Sequence, residues 1–479
     1  MDKELDIIII GGGIVGTAIA RELSRYQLNI ALVEKEADVG WGTTKANSAV
    51  VHTGYDPKPG TLMSKLNVQG ARLFPSICGE LDVPYKKIGS LVLTPNEEGF
   101  KVLEELRERG RLNGVTNLEI ITQEKLFELE PNISKDIKGA LWVKDTAITA
   151  PVELAIAFRE NAEKNGVRFI LDTTVIGFEV EDGRIESVRT DRGILRAKWI
   201  INAAGVNSDD IARLAGDDSF SITPVKGEYA LFDKEIGNWV NHIIFPLPTE
   251  TTKGILVLPT VDGNLLVGPN ECITSKEDTN VTEEGLKEVL TFAKREFPDL
   301  PLNMLITVFA GLRAKELNRK DFVIEPSPVV ENLINVGGIQ SPGLSSAPAI
   351  AVYVTEILRD RGVKLVKKKD FISERKAIPR FANLSWDERA RLIAKDPNYG
   401  EIICRCEYVT IGEIIEAVRR GANTLDGIKF RTRAGSGRCQ GGFCGPRLIP
   451  LLSQLLEVSP SEITKKGKES KLVIGETKR

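Results

Sequence analysis

The sequence predicts an α/β fold in which a parallel-sheet domain is interleaved with an antiparallel-sheet domain and followed by a small helical domain. Three observations lead to this prediction. Short β-branched runs alternate with helical patterns to about residue 360. A glycine-rich turn follows the first of these runs, and four of the six cysteines lie after residue 400 in a chain of 479 residues. With 42% apolar and 27% charged residues, the chain has enough apolar material for a core.

The buried strands of the parallel sheet are expected as continuous apolar runs, at residues 7–10, 30–34, 168–171, 199–202 and 333–336. The antiparallel segments alternate more and end at turn residues. They are residues 90–94, 174–181 turning into 185–190, 228–232, and 254–259 turning into 264–267. Residues 1–363 therefore hold both interleaved domains. We expect a linker at residues 364–398 with one short helix from Ser385, a cysteine domain at 399–460 and a tail at 461–479.

Charge and hydropathy exclude several classes of protein. The net charge of −3 gives no field that would attract nucleic acid. The longest apolar stretch, residues 7–20, contains four glycines and is too short to span a bilayer. The N-terminus lacks a basic start and a cleavable apolar segment, so we expect a cytoplasmic protein.

The first strand leads into Gly11-x-Gly13-x-x-Gly16, and a helix over residues 14–25 follows. The glycines allow a tight turn and a close approach of the backbone to a pyrophosphate at the helix N-terminus. A second strand then ends in Glu34, 18 positions after Gly16, where a carboxylate can accept hydrogen bonds from a ribose diol. The same carboxylate would repel a 2′-phosphate, so the pattern predicts NAD or FAD rather than NADP.

Three further segments favour FAD over NAD. Residues 39–52 form a glycine- and threonine-rich loop of the kind that passes under a ribityl chain and an isoalloxazine. Residues 199–205 end a strand in small residues. Residues 335–348 form a glycine-rich turn that opens a helix at 347–359, where N–H groups and the helix dipole could face reduced flavin.

These segments resemble the FAD-dependent oxidoreductases of the D-amino-acid oxidase superfamily. Two branches look nearest, namely the L-2-hydroxyglutarate dehydrogenases and the large subunit of anaerobic glycerol-3-phosphate dehydrogenase. The first is similar in N-S-A-V-V-H-T-G, P-V-K-G-E-Y, L-V-G-P-N and A-G-L-R-A, which begin at residues 47, 224, 266 and 310. The resemblance implies that Gly11, Gly13, Gly16 and Glu34 bind the ADP half of FAD. It further implies contacts to the rest of FAD from Thr43, Thr44, Ser48, Val175, Gly205, Gly338, Gly343, Leu344 and Ser345.

The resemblance also implies the substrate-binding residues. His52 is the leading candidate for the base that takes the hydroxyl proton, with His242 as the alternative, and these are the chain's two histidines. Arg313 matches the arginine that holds the substrate's anionic group in the family. Lys226 and Lys315 are secondary anion candidates that we expect to be solvated. One departure is the stretch T-G-Y-D-P-K-P-G after His52, where the glycerol-phosphate enzymes carry an arginine.

The C-terminal cysteines form a Cys-x-Cys pair at Cys404 and Cys406 and a Cys-x-x-x-x-Cys pair at Cys439 and Cys444, with 32 residues between the pairs. Structural zinc sites favour Cys-x-x-Cys. The pattern resembles the bacterioferritin-associated ferredoxin-like domain, whose cysteines hold a 2Fe–2S cluster, with zinc or a metal-free site as alternatives. We expect N–H groups near the glycines of this loop to face the sulfurs and four arginines to offset the cluster's charge, namely Arg405, Arg431, Arg433 and Arg438. Cys78 and Cys272 are expected to be ordinary buried thiols.

Taken together, the sequence predicts an FAD-dependent dehydrogenase that oxidises a small anionic hydroxy compound and releases electrons one at a time through a 2Fe–2S cluster. The first expectation for the substrate is sn-glycerol 3-phosphate, oxidised to dihydroxyacetone phosphate. The alternatives are L-2-hydroxyglutarate, an amino or imino acid, and an electron-transfer subunit without its own substrate. We expect a second redox subunit in a hetero-oligomer, no nucleic acid, and membrane association only through that partner.

Overall fold

The computed structural model of the chain describes residues 5–248 and 254–475. Its helices, in chain order, are α1 (Ile14–Leu23), α2 (Leu62–Leu81), α3 (Gly99–Leu112), α4 (Gln123–Leu129), α5 (Pro151–Lys164), α6 (Ser208–Leu214), α7 (Glu283–Glu296), α8 (Gly343–Asp360), α9 (Trp386–Lys395), α10 (Ile411–Arg419), α11 (Leu425–Thr432) and α12 (Gly445–Leu456). None of the helices in these two ranges has the length and apolar character needed to cross a membrane.

The strands form two large sheets and three small ones. In chain order they are β1 (Leu5–Ile10), β2 (Ile30–Val33), β3 (Val50–Val51), β4 (Tyr85–Lys87), β5 (Ser90–Thr94), β6 (Leu118–Thr122), β7 (Gly139–Val143), β8 (Ala147–Thr149), β9 (Arg168–Ile170), β10 (Val175–Glu181), β11 (Arg184–Thr190), β12 (Gly193–Leu195), β13 (Ala197–Asn202), β14 (Thr223–Phe232), β15 (Ile243–Phe245), β16 (Val257–Pro259), β17 (Leu265–Val267), β18 (Cys272–Ile273), β19 (Leu305–Lys315), β20 (Val323–Pro326), β21 (Leu333–Gly337), β22 (Ile402–Cys404) and β23 (Val409–Thr410).

The first large sheet has the order β20-β21-β13-β1-β2-β9 and is parallel except for the edge strand β20. All five buried strands expected from the sequence are in it. Ile7 and Ile9 of β1 pack into the core formed with α1, α2, α5 and α8, whereas Ile8 and Ile10 pack into a second core on the other face of the sheet. Because both faces are covered, the strand is apolar at every position instead of alternating.

The second large sheet has nine strands in the order β18-β14-β17-β16-β15-β5-β7-β6, with β19 also paired to β14. The expected hairpin of β16 and β17 turns at Asp262 and Gly263 and belongs to this sheet. The other expected hairpin, β10 and β11, forms a separate three-stranded sheet with β12. The longest ladder, between β14 and β19, joins segments about 80 residues apart and has no local sequence signal.

Helix α8 starts at Gly343, four residues before the expected start at residue 347. The hydroxyls of Ser345 and Ser346 both donate to the carbonyl of Pro342, which satisfies an acceptor at the turn that opens the helix. The short helix expected from Ser385 is α9, and Ser385 forms a capping box with Glu388.

The C-terminal cysteine domain has its own core, built from α10, α11, α12 and the β22–β23 pair. The segment before it lies along the parallel-sheet domain. Lys367 forms a β-bridge with Tyr26, and Arg375 forms an ion pair with Glu160 of α5. The last four residues of the expected tail lie outside the described residues.

Candidate active site

A cavity of about 1110 Å³ runs between the parallel sheet, the loop that follows β2, and the antiparallel sheet. Its wall contains most of the residues that the sequence singled out. They are Gly11, Gly13, Glu34, Thr43, Thr44, Ser48, His52, Gly205, Arg313, Gly343 and Leu344. The cavity therefore joins the expected dinucleotide-binding turn to the expected substrate-binding arginine.

The glycine-rich turn has no room for a side chain at Gly11 or at Gly16. A Cβ at Gly11, whose φ is +107°, would overlap the carbonyl oxygen of Ala203 at the end of β13. A Cβ at Gly16 would overlap the carbonyl oxygen of Gly11. Gly16 does not line the cavity, and its role is to let α1 pack against the turn.

Glu34 is held by the backbone. Its carboxylate accepts hydrogen bonds from the N–H of Gly12 at 2.5 Å and from the N–H of Glu36 at 2.9 Å, one on each oxygen. Burial raises the pKa of this carboxyl, and both N–H groups oppose that rise. Each oxygen keeps acceptor capacity toward the cavity, as binding of a ribose diol requires.

The loop after β2 is anchored by the first two residues of a short 3₁₀ turn, Thr43–Lys45. The Thr43 hydroxyl donates to the carbonyl of Leu312 in β19 at 2.6 Å, and the Thr44 hydroxyl accepts from the N–H of Ile14 at 3.0 Å. Trp41 lines the cavity, and its indole N–H is buried without a hydrogen-bond partner among the described residues. The glycine-rich turn at the start of α1 and the Glu34 carboxylate offer N–H donors for a pyrophosphate and acceptors for a ribose diol, so the residues present fit FAD.

Three expected flavin contacts do not line the cavity, in addition to Gly16. Val175 is buried in the apolar core beside β1. Gly338, at φ +65°, lies against Glu316 and Asp321. Ser345 is fully buried, and it accepts a hydrogen bond from Asn67 at 3.0 Å. Asn67 also donates to the carbonyl of His52 at 2.8 Å, so it links α8 to the loop that carries His52.

His52 lies in the cavity wall beside Phe245, with a distance of 6.0 Å between the ring centroids. Its Nε2 is 3.4 Å from the hydroxyl of Ser341. His242 does not line the cavity. Its Nδ1 is 2.7 Å from the fully buried carboxylate of Glu130, which also accepts the backbone N–H of His242. The structure thus brings His52, but not His242, to the cavity that holds Arg313.

Arg313 projects from β19 on the same strand face as Lys315, two residues on. Its Nη2 donates to the carbonyl of Asn270 at 3.2 Å, and its Nη1 lies 3.1 Å from Glu271. A Cβ at Gly227 would lie 2.9 Å from Nη2, so a glycine there leaves room for the guanidinium. Lys315 was expected to be solvated, but it is 16% exposed and paired with Glu271 at 2.9 Å.

The other expected solvated lysine, Lys226, is also buried. Its ammonium lies 2.8 Å from Asp278 and 3.6 Å from Glu228. Both expectations were wrong for one reason. Lys226 lies on β14 and Lys315 on β19, and the pairing of β14 with β19 and β18 brings both side chains beside the segment that carries Glu271 and Asp278. That pairing is invisible in the local sequence.

Tyr229, Arg109, Glu271 and Trp41 are among the residues of the cavity wall that were not predicted. Tyr229 is buried beside Arg313 and stacked on Phe309, and burial raises the pKa of its hydroxyl. Arg109 of α3 donates to the carbonyl of Asp56 at 3.1 Å, which places a guanidinium beside the stretch where the sequence lacks one. Glu271 lies against Arg313, and Trp41 lies in the loop after β2. For Arg109 the sequence did carry a signal. Val102, Leu106 and Arg109 share one face of α3, so an arginine interrupts the apolar face of this helix.

The four clustered cysteines lie as two pairs. The sulfurs of Cys406 and Cys439 are 3.7 Å apart and exposed, whereas Cys404 and Cys444 are buried and interact with each other. Two thiolates on one tetrahedral metal with metal–sulfur bonds of about 2.3 Å are about 3.8 Å apart. Within residues 5–248 and 254–475, no three His, Cys, Asp or Glu side chains surround a single point that could hold one metal ion. Two pairs of thiols fit the two irons of a 2Fe–2S cluster better than one zinc.

Backbone N–H groups face these sulfurs, as expected for the glycine-rich loop. A hydrogen bond with Cys444, together with the N–H groups of Gly435 and Glu407, lowers the pKa of Cys404 to about 6. The N–H groups of Phe443 and Gly441 lower the pKa of Cys439. Cys78 is buried as expected, and burial raises its pKa to about 12, whereas Cys272 is exposed, contrary to expectation.

Three of the four arginines expected to offset the cluster's charge pair with carboxylates instead, and the fourth, Arg405, lies over the ring of Phe443 at 4.6 Å. Arg431 is buried in an ion pair with Asp38, Arg433 pairs with Asp262 and Glu407, and Arg438 pairs with Asp233 and Glu235. Most of these carboxylates belong to the larger part of the chain. These arginines therefore attach the cysteine domain to the flavin-binding part.

Comparisons with known proteins agree with this geometry. A family model described as FAD dependent oxidoreductase (DAO) matches residues 6–357, and one described as a BFD-like 2Fe-2S binding domain matches residues 402–454. A glycerol 3-phosphate dehydrogenase of Caloramator mitchellensis is 48% identical over 99% of both chains. A mitochondrial L-2-hydroxyglutarate dehydrogenase of Mus musculus is 29% identical over 74% of this chain and 88% of the relative.

Among solved structures, a dithionite-reduced L-α-glycerophosphate oxidase of Mycoplasma pneumoniae with FAD bound matches with a TM-score of 0.74 and 32% identity, over 80% of this chain and all of that chain. The expected resemblances are confirmed, as are the expected cofactors, FAD and a 2Fe–2S cluster. The chain belongs to the FAD-dependent oxidoreductase family and carries a BFD-like 2Fe–2S-binding domain after its flavin-binding part.

Proposed function

We propose that this enzyme oxidises the secondary alcohol of sn-glycerol 3-phosphate to the ketone of dihydroxyacetone phosphate. The observation that carries the proposal is the pair of cations, Arg313 and Lys315, in the wall of the flavin cavity. A guanidinium and an ammonium side by side bind a phosphate through charge-assisted hydrogen bonds. The relative named glycerol 3-phosphate dehydrogenase, 48% identical over the full chain, supports the same substrate.

In this proposal each residue has a separate task. Arg313 and Lys315 hold the phosphate, and His52 accepts the proton of the reacting hydroxyl. FAD held by the glycine-rich turn and Glu34 would supply the acceptor for the hydride of the carbinol carbon, so that the substrate would lose two electrons and two hydrogens as it becomes a ketone. Phe245 and Tyr229 line the same wall and limit the access of water.

The alternatives differ in what the cation pair recognises. L-2-hydroxyglutarate offers carboxylates that fit the same pair, and relatives of that name are 26–29% identical. Amino or imino acids also carry a carboxylate. An electron-transfer subunit without a substrate would have no use for two cations in the same cavity as His52.

Anaerobic flavin bleaching separates these alternatives. The holoenzyme is mixed with sn-glycerol 3-phosphate, its mirror image, L-2-hydroxyglutarate and an amino-acid panel, and flavin absorbance is followed with time. We expect the fastest bleaching with sn-glycerol 3-phosphate. Faster bleaching by a hydroxy or amino acid would contradict the proposed substrate, and bleaching by none would favour an electron-transfer subunit.

We further propose that the electrons leave through the cluster to a second redox subunit. The sulfurs of Cys406 and Cys439 reach the surface, flanked by exposed Tyr408 and Phe443 and by Arg405. Two exposed aromatic rings beside a cation form a surface that suits contact with a protein. The cluster's thiols need a reducing compartment, which supports a cytoplasmic location.

The partner proposal has a direct test. The isolated chain is supplied with substrate and with artificial dyes, NAD or a quinone as acceptor. Fast turnover with dyes and slow turnover with NAD and quinone would support a partner. Rapid reduction of NAD or quinone by the chain alone would contradict it. Iron analysis of the same preparation should give about two atoms per chain.

A further inference from the structure

The cation pair of the cavity already holds a carboxylate of the chain itself. Glu271 lies between the two cations, with Oε1 3.1 Å from Arg313 Nη1 and Oε2 2.9 Å from Lys315 Nζ. It also lines the cavity. A carboxylate that spans two cations in this way occupies the space that an external anion of similar size would need.

The three groups differ in how firmly they are fixed. Arg313 and Lys315 are 15% and 16% exposed and project from the long strand β19, whereas Glu271 is 25% exposed and follows the turn at Gly268 and Pro269. The Nη1 of Arg313 is buried, and it makes no aligned hydrogen bond with any described residue despite its short distance to Glu271. The two cations are therefore held in place by β19, whereas the Glu271 side chain can swing away from them toward solvent.

The charges of Arg313, Lys315 and Glu271 determine what happens when an anion enters the cavity. Without an anion, two cations side by side in a partly buried wall repel each other, so Glu271 stabilises the resting site. A phosphate that binds between Arg313 and Lys315 places up to two negative charges next to the carboxylate of Glu271. The phosphate and Glu271 cannot both hold the cations, because like charges in contact are strongly unfavourable in a site of reduced dielectric.

We propose that Glu271 is a resident carboxylate that fills the anion slot of Arg313 and Lys315 in the resting enzyme and is displaced by the substrate's anionic group. Glu271 thereby lowers the affinity for every anion and sets how strongly the enzyme distinguishes charged from neutral substrates. This inference rests on the proposed role of Arg313 and Lys315 as anion ligands.

The test uses inorganic phosphate as the probe and the holoenzyme as the sample. Phosphate binding is measured from the change that it causes in the flavin absorption spectrum, without turnover. We expect Glu271→Gln, which keeps the shape and removes the charge, to bind phosphate about tenfold more tightly than the parent, which corresponds to about 1.4 kcal/mol. Glu271→Ala, which also vacates the slot, should bind it at least as tightly.

Glu277→Gln is the matched control. Glu277 lies on the same loop and lines the same cavity, but it makes no ion pair with Arg313 or Lys315 in the part of the chain that the structure describes. The Glu277→Gln substitution removes the same charge from the cavity as Glu271→Gln, so a long-range electrostatic effect on phosphate binding would appear in both variants. A gain in phosphate affinity of equal size in Glu277→Gln would overturn the proposal.

Steady-state kinetics supply the second readout. In Glu271→Gln the KM for glycerol 3-phosphate should fall while the KM for glycerol, which lacks the anion, stays unchanged. Unchanged or weaker phosphate binding in both Glu271 variants would show that the carboxylate is a permanent brace for the cations, and would overturn the proposal. If glycerol 3-phosphate fails to bleach the flavin, the proposed substrate is wrong, but phosphate binding still decides the role of Glu271.

Discussion

Glu34 and Glu271 are carboxylates of one cavity with different surroundings. Glu34 accepts hydrogen bonds from two backbone N–H groups, which hold its carboxylate in a fixed position. In that position it can bind hydroxyl groups. Glu271 faces two side-chain cations and is part-exposed, so an anion can replace it. The same residue type therefore serves a permanent contact in one place and an exchangeable contact in the other.

At the residue scale, His52 and His242 can be told apart by kinetics. His52→Ala should slow flavin reduction at saturating substrate by about 100-fold, because the hydroxyl proton would lose its acceptor. His242→Gln should leave the rate near that of the parent, since His242 is bonded to Glu130 outside the cavity. The measurement is anaerobic stopped-flow at the flavin band. A normal rate in His52→Ala together with a slow rate in His242→Gln would reverse the assignment.

Arg313→Ala should raise the KM for the anionic substrate with a much smaller effect on the rate at saturation. A charge-assisted contact to a desolvated anion is worth roughly 2–4 kcal/mol, so the expected rise is about 30-fold or more. Arg319→Ala is a suitable control, because Arg319 pairs with Glu325 at the surface. An equal KM in the parent and in Arg313→Ala would remove Arg313 from substrate binding.

The sequence predicted residues whose role is local and missed those whose role depends on long-range pairing. Glu34 follows Gly16 within one β-α-β unit, so its spacing carries the information. Tyr229 and Glu271 reach Arg313 only because β14 pairs with β19 and β18. No local pattern encodes such a register, and the charge of Glu271 gives no hint of its partner.

At the scale of elements, β19 is the strand that joins the substrate wall to the flavin loop. Gly311 faces the carbonyl of Ala46, and the carbonyl of Leu312 accepts from Thr43. The parallel sheet was predictable, because buried parallel strands are continuous apolar runs. The antiparallel sheet was predicted only in part, because its strands are short and its longest ladder links distant segments.

Gly311→Ala should therefore weaken FAD binding. The added Cβ would overlap the carbonyl oxygen of Ala46, so β19 and the loop must separate, at a cost of about 1–3 kcal/mol. Gly79→Ala in α2 is the control, because nothing lies within 4 Å of a Cβ there. FAD retention during dialysis is the measurement. Equal retention in both variants would show that the loop can shift without affecting the flavin.

At the scale of the whole molecule, ion pairs attach the cysteine domain to the flavin-binding part. Asp38 pairs with Arg431 of that domain and with Arg159 of α5, and Arg433 reaches Asp262 at the tip of the β16–β17 hairpin. Trp41, in the wall of the flavin cavity, meets Phe430 of α11 edge-on at 6.3 Å. Arg431 and Arg433 were expected at the cluster, because the local sequence does not show where the two parts of the chain meet.

The buried pair of Asp38 and Arg431 yields a prediction about stability. Asp38→Asn leaves the Arg431 guanidinium, 1% exposed, without its carboxylate and leaves Arg159, 10% exposed, with Glu163 alone, so it should lower the free energy of unfolding by about 3–5 kcal/mol. Arg431→Met should cost less, because Asp38 keeps Arg159. Lys198→Met, which removes an exposed pair with Asp6, should change stability by less than about 1 kcal/mol. Urea unfolding at neutral pH is the measurement, and equal losses in Asp38→Asn and Arg431→Met would contradict the argument.

The pH dependence of the same variants provides an independent check. Burial would raise the pKa of Asp38, but the charge of Arg431 and its hydrogen bonds, with Arg159, hold it below the ordinary value. A carboxyl whose folded pKa is lowered stabilises the fold above its unfolded pKa of about 3.9, and this contribution is lost as the pH falls through the folded value. The stability gap between the parent and Asp38→Asn should therefore stay constant from about pH 8 to about pH 5 and narrow below about pH 4. A gap that narrows already between pH 7 and pH 5 would mean that the carboxyl titrates above its ordinary range and that the arginines do not hold it ionised.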